Sequence, residues 1–316
     1  MLFDKYNGLI ARFPDECDHL FGQDVDGRSD LWFSIDANGH PSLLFETTKG
    51  EEQPDLKLKY VEVEFARRCE IAMEGGRSQV GTFTVVSFKD DDADLVRIFL
   101  RLLEEAFLAE KGPHSSQEIR SKIITLAEIF SRLETSVKDV IGLWGELHVI
   151  RRSHDPIKVA RAWCLAKSAQ FDFLGESHVL EVKATTKARR LHRFSMEQVR
   201  PSSGLNSYIC SVLLAELPSG MTVGELMDEV LELIEDVDDR SRLFHQCLKK
   251  GGKDIYASAL PLSVFPDGAS LAVFRASTIP VPQVDESAPI YNVRFDADLS
   301  DAVALSREDA EHVLSL

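Results

Sequence analysis

The order of apolar and polar positions divides this chain into a strand-rich beginning, a helical middle and a mixed remainder. Residues 31–36 and 43–45 are apolar runs separated by a segment containing Asn38-Gly39, a pair that favours a tight hairpin turn. Residues 56–65, LKLKYVEVEF, alternate with a period of two and predict one half-buried strand. A further β-branched and aromatic run covers 82–88. These segments predict an antiparallel sheet early in the chain.

Beyond residue 92 the period changes. Apolar residues at 95, 96, 99, 102, 103 and 106 follow helical spacing over 93–111, and Gly112-Pro113 stops that pattern. A second amphipathic helix is predicted over 116–133, with Ser115 or Ser116 as N-cap. A third, over 136–152, finishes on Arg151 and Arg152, charges that suit a helix C-terminus. Strands are expected at 158–165, 169–174 and 179–185, then one helical turn at 195–200 and an apolar strand at 208–217. An acidic helix follows over 223–237, N-capped by Thr222, and strands near 254–264, 270–276 and 289–295 close the chain. The expected architecture is α/β, or α+β overall. It comprises an N-terminal β-rich domain (1–91), a helical connection (92–136), a core with helices covering a sheet (137–240) and a C-terminal α/β extension (241–316).

Composition narrows the class. The 316 residues are 44% hydrophobic and 28% charged, as in soluble globular proteins. No apolar run approaches the ~18 residues of a membrane span. The N-terminus lacks a basic stretch followed by an apolar one, so a cytoplasmic location without membrane association is expected. Five cysteines, at 17, 69, 164, 210 and 247, include no CxxC, which argues against zinc knuckles, redox dithiols and disulfide scaffolds. Phosphate-loop, dinucleotide, nucleophile-elbow and HExxH patterns are all missing, and 249–254, KKGGKD, reads as a turn. The net charge of −16 opposes nucleic-acid binding, but its distribution does not. Residues 137–200 hold 12 Lys and Arg against 7 Asp and Glu, a basic island in an acidic chain.

One segment in that island carries chemistry. If 175–178 form a hairpin turn, Asp172 stands opposite Glu181, and alternation places Lys183 on the same face as Glu181. Opposed carboxylates destabilise a sheet unless neutralised, and a hard divalent cation does so through oxygen ligands. A neighbouring lysine can then hold an attacking water, the layout for metal-assisted phosphodiester hydrolysis. An ordinary salt-bridged surface is the competing reading of the same residues. Upstream, Glu146 is the only acid in the apolar centre of its predicted helix. Gly142 and Gly145 beside it make sense if the helix packs closely on a sheet and aims Glu146 inward. Downstream, Lys187, Arg189, Arg190, Arg193 and Arg200, with His192 among them, supply positive charge for phosphates.

Glu146 in its Gly-containing helix, Phe171-Asp172-Phe173, Glu181-Val182-Lys183 and the following Ser195-Met196-Glu197-Gln198 resemble the PD-(D/E)XK nuclease superfamily. More closely, they resemble uncharacterised bacterial PD-(D/E)XK-motif proteins encoded beside Z1-type helicases and DNA methyltransferases in restriction and phage-defence islands. The likeness is sharp over 137–216, although Gln170 and Phe171 stand where the motif's proline would be. It implies a restriction-endonuclease-like core with a mixed four-stranded sheet flanked by helices, and Mg²⁺- or Mn²⁺-dependent DNA cleavage. By the same resemblance Asp172, Glu181 and the Val182 carbonyl are metal ligands and Lys183 is the catalytic lysine. Glu146 is the helix-borne acid, and Gln198 a polar residue near the site. The implied partners are DNA, helicase or methyltransferase subunits of the same system and a second copy of the chain. The alternative is a non-cleaving DNA-binding or assembly protein that keeps the nuclease fold.

Overall fold

The N-terminal apolar pattern folds as helix α1 (Leu2–Ala11) followed by strands β1 (Leu20–Val25), β2 (Arg28–Ile35) and β3 (Pro41–Glu46). The computed structural model describes residues 1–14, 19–25, 27–47, 53–108, 112–133, 139–164, 170–201, 206–265, 270–284 and 290–316. They form a mixed α/β chain with two compact units, Met1–Thr135 and Ser136–Leu316. Cys17 and the expected strand residues 165 and 169 lie outside the described residues.

In the first unit β2 and β3 make the expected hairpin, and Gly39 supplies the turn's left-handed conformation at φ +81°. The stretch 56–65 is not one strand. The Leu58 N–H donates to the Val61 carbonyl at 2.9 Å, so β4 (Leu56–Lys57) doubles back on β5 (Val61–Met73). Alternation runs through both arms of a tight hairpin, which is why the pattern hid the turn. β6 (Arg77–Phe88) completes a sheet in the order β1-β2-β3-β6-β5-β4, and β1 also pairs with β5. Helix α2 (Ala93–Leu103) starts on the Asp92 cap and runs into a π-helical turn at Glu104–Leu108. Helix α3 (Ser116–Leu133) starts on Ser115, whose Oγ accepts from the Glu118 N–H. Phe88 stacks on Phe99 at 4.7 Å and meets Phe130 in a tilted contact at 5.6 Å between centroids, joining sheet to helices. Each such buried ring contributes roughly 1.5–3 kcal/mol.

The second unit opens with helix α4 (Val140–Arg152), capped by Asp139. A helix, α5 (Pro156–Ala162), replaces most of the strand expected at 158–165. Asp155 caps the Lys158 N–H and Pro156 occupies the first turn, and this start signal outweighs the local β-branched residues. Then come β7 (Phe173–Leu174), β8 (His178–Thr185), β9 (Leu191–Ser195), helix α6 (Met196–Val199) and the long β10 (Asn206–Met221). Helix α7 (Val223–Glu232) has the Thr222 cap with a reciprocal bond from Glu225, but stops before 237. A new cap, Asp236, starts α8 (Val237–Gly251). Helix α9 (Asp254–Ala257) occupies the beginning of the strand expected at 254–264, leaving β11 (Leu262–Val264). Strands β12 (Leu271–Arg275) and β13 (Arg294–Asp298) and helix α10 (Arg307–Leu314) finish the chain.

The main sheet of this unit runs β11-β10-β8-β7, with β12 also on β10. β10 and β8 are parallel, and the other pairs are antiparallel. β9 and β13 form a separate two-stranded ribbon. Among the described residues no helix is long and apolar enough to cross a membrane.

Candidate active site

The β7–β8 hairpin has Phe173 opposite Leu180 and Leu174 opposite Val179, with the Gly175 N–H bonded to the His178 carbonyl at 3.0 Å. Asp172 precedes β7, and its Oδ2 accepts the Val182 N–H at 2.9 Å. A side-chain carboxylate thus satisfies an N–H of β8 beyond the point where β7 stops pairing. Phe173, Leu180 and Val182 are buried around it, and the Cys164 N–H bonded to the Asp172 carbonyl fixes the backbone.

Glu146 reaches this hairpin because α4 lies against β8. A Cβ on Gly145 would sit 2.8 Å from the Ala184 Cβ, so only glycine permits the approach. The next residue, Glu146, is 6% exposed. Its Oε2 accepts the Trp163 indole N–H at 2.5 Å and also a bond from the Lys250 ammonium. A backbone bridge to Phe173 sets Trp163 beside the hairpin. Lys250, on the last turn of α8, also donates to Asp172 Oδ1 at 3.2 Å and lies 5.2 Å from the Trp163 ring centroid. On the other side, Glu181 Oε1 accepts from Lys183 Nζ at 2.7 Å and from Gln198 Nε2 at 2.5 Å. Gln198 is held by a capping box on α6, in which its Oε1 accepts the Ser195 N–H.

Three carboxylates therefore share a largely dehydrated site with two ammoniums. Burial, reinforced by the Asp172 charge, pushes Glu146 up to about 8 and Glu181 up to about 7. Burial also works against the Lys250 ammonium, but the Glu146 and Asp172 charges outweigh it and hold its pKa above the usual lysine value. Among the described residues no three His, Cys, Asp or Glu side chains gather as a metal-binding group. The donor chemistry nevertheless fits a hard divalent cation. Three carboxyl groups face two ammoniums, and such oxygens are the ligands a hard cation takes.

The structure brings Glu146, Asp172, Glu181, Lys183 and Gln198 together, with Val182 buried between the last two β8 side chains of the set. The basic island is divided. Lys187, Arg189 and Arg193 are exposed, Arg189 lying 3.8 Å from Asp298. Arg190 corrects the sequence reading: it is 8% exposed and donates to the Ser211 carbonyl and hydroxyl at 2.7 and 2.8 Å. Arg200 likewise ties down the carbonyls of Val199, Ala276 and Ile279. Sequence reasoning missed Lys250 and Trp163. The stretch 249–254 reads as a turn in the sequence, but Lys250 lies one residue inside a helix ended by Gly252 at φ +59°.

Two acids and a lysine on a hairpin of a mixed sheet thus meet a further acid from a packed helix. The family described as "Putative PD-(D/E)XK family member (DUF4420)" matches residues 23–264, and the chain belongs to this family. Neither the curated proteins nor the solved structures contain a match to the chain.

Proposed function

We propose that the Ser136–Leu316 unit hydrolyses DNA phosphodiester bonds with Mg²⁺ or Mn²⁺, as the endonuclease subunit of a bacterial restriction or phage-defence system. What carries this reading is the meeting of Asp172, Glu181 and Lys183 on one hairpin, with Glu146 beside Asp172. We read β7, β8, β10 and β12 as the four strands of a restriction-endonuclease-like core. Helicase or methyltransferase subunits would supply the DNA affinity that a chain of net charge −16 lacks.

Asp172 and Glu181, with the Val182 carbonyl, would hold the cation, which when bound polarises a phosphoryl oxygen and acidifies water. Lys183, fixed against Glu181, orients the attacking water and steadies charge developing on the phosphate. Gln198 locks the Glu181 carboxylate from the opposite side. Glu146, held by the Trp163 indole and Lys250, sets the position of the ammonium that faces Asp172.

The test is nicking of supercoiled plasmid DNA by the full chain, with calorimetric titration of Mn²⁺. Cleavage should require the metal and disappear in Asp172→Asn and Lys183→Met, and Asp172→Asn should weaken Mn²⁺ binding about tenfold or more. A second reading, a non-cleaving DNA-binding or assembly protein, is favoured by the Lys250 bridge, which pairs Glu146 and Asp172 within the chain. DNA binding without cleavage, and equal Mn²⁺ affinity in wild type and variant, would establish it instead.

A further inference from the structure

Strand β13 lies beyond residue 264, where the family match ends, yet it builds one wall of the cleft next to Lys183. It pairs antiparallel with β9, Arg294 opposite Ser195 and Asp296 opposite Arg193. Alternation buries His192, Phe194 and Ala297 on one side of this ribbon and turns Arg193 and Arg294 to solvent. The ribbon is rigidly seated. Phe194 and Ala297 belong to a core with Ile209, Phe274 and Leu299, and the Met196 N–H bonds the Val293 carbonyl at 2.9 Å.

The cleft has a volume of about 590 Å³. Lys183 and Gln198 line it on the carboxylate side and Arg193, Asn292 and Arg294 on the ribbon side, with Glu197 the one acid among its lining residues. Arg190 and Arg200 have their guanidiniums bound to backbone carbonyls, and Arg189 faces Asp298. Among the described residues Arg193 and Arg294 make no ion pair, Asp296 included. Two unpaired guanidiniums on a fixed ribbon, in a cleft that continues to Lys183, suit the spaced phosphates of a nucleic-acid backbone.

We propose that β13 completes a DNA-binding cleft in which Arg294, with Arg193, holds backbone phosphates adjoining the one at Lys183. This rests on the nuclease reading and assigns a task to the C-terminal segment outside the family match.

The test is binding of a fluorescent DNA duplex by the full chain across a salt series, without turnover, in Ca²⁺. Arg294→Gln and Arg193→Gln should each weaken binding roughly 3- to 10-fold and lower the magnitude of the log–log salt slope by about 0.9. Both positions are exposed, so the melting temperature should stay as in wild type. Arg307→Gln, an exposed arginine on α10 paired with Glu311, should change neither quantity. A wild-type slope retained in Arg294→Gln overturns the role of β13 while plasmid cleavage keeps the nuclease reading intact. A wild type that neither binds nor cuts DNA overturns both.

Discussion

Lys250 reaches from the end of α8 to Asp172, 3.2 Å away, and the same ammonium bonds Glu146. The pair joins residues 78 positions apart, and Lys250 is 104 positions from Glu146. An acid on α4 and an acid just before β7, which repel each other, are thus held by one cation from a third element, α8.

Removing that cation should be costly. In Lys250→Met the packing volume stays, but Glu146 and Asp172 lose their shared partner. Because Glu146, raised to about 8, answers by taking up a proton, the loss at neutral pH should stay below the ~3–5 kcal/mol of an uncompensated buried charge and grow as pH rises. Thermal or urea unfolding of the metal-free protein should show the loss. Millimolar Mn²⁺ should restore more stability to the variant than to wild type, because the two acids are left without their cation. Equal stability of the two metal-free proteins would mean that Lys250 does not neutralise the pair.

The reason Lys250 was invisible in the sequence is physical. Asp172, Glu181 and Lys183 are joined by local rules, a turn and a two-residue alternation, so their shared location could be read from spacing. Glu146 could be read because glycines in an apolar helix imply a close neighbour. No local rule links α8 to this hairpin, and Gly251-Gly252 after Lys250 imitated a turn. Arg190 was misplaced for the opposite reason, a local pattern left unused. Residues 192 and 194 are buried on β9, and 190, two before, lies buried with them. Capping shaped the rest: the Asp155-Pro156 start converted an expected strand into α5, and the Asp236 cap starts α8, a helix the apolar pattern does not announce, where the expected 223–237 helix was to end.

The contact of α4 with β8 gives a second prediction. Gly145→Ala should force its new Cβ against Ala184, 2.8 Å away, and lift the helix that carries Glu146. Overpacking of this kind costs about 1–3 kcal/mol. Ala184→Gly in the same chain removes the obstructing methyl and should recover part of the loss, so the two substitutions should be non-additive in urea unfolding. Strict additivity would show that the approach of Gly145 to Ala184 does not limit the packing.

The third prediction concerns His148 on α4. Burial, followed by the Arg152 and Arg151 charges, lowers its pKa to about 4, and its ring stacks on Trp144 with centroids 5.2 Å apart. Its Nδ1 is buried without a hydrogen-bond partner among the described residues. The folded value lies below the unfolded one of about 6.5, so between these values the unfolded chain binds more protons. Stability from this imidazole is therefore complete above pH 6.5 and is lost as pH falls toward 4. Glu146 and Glu181, raised to about 8 and 7, titrate with the opposite sign over much of this range and mask the loss in wild type alone. The difference between His148→Phe and wild type isolates the imidazole, since both proteins carry the same acids and the phenyl ring preserves the stack. Between pH 7.5 and pH 5 the variant should gain roughly 2 kcal/mol relative to wild type in urea unfolding. A difference independent of pH would place a proton on His148 in the folded state and contradict the burial that defines this face of α4.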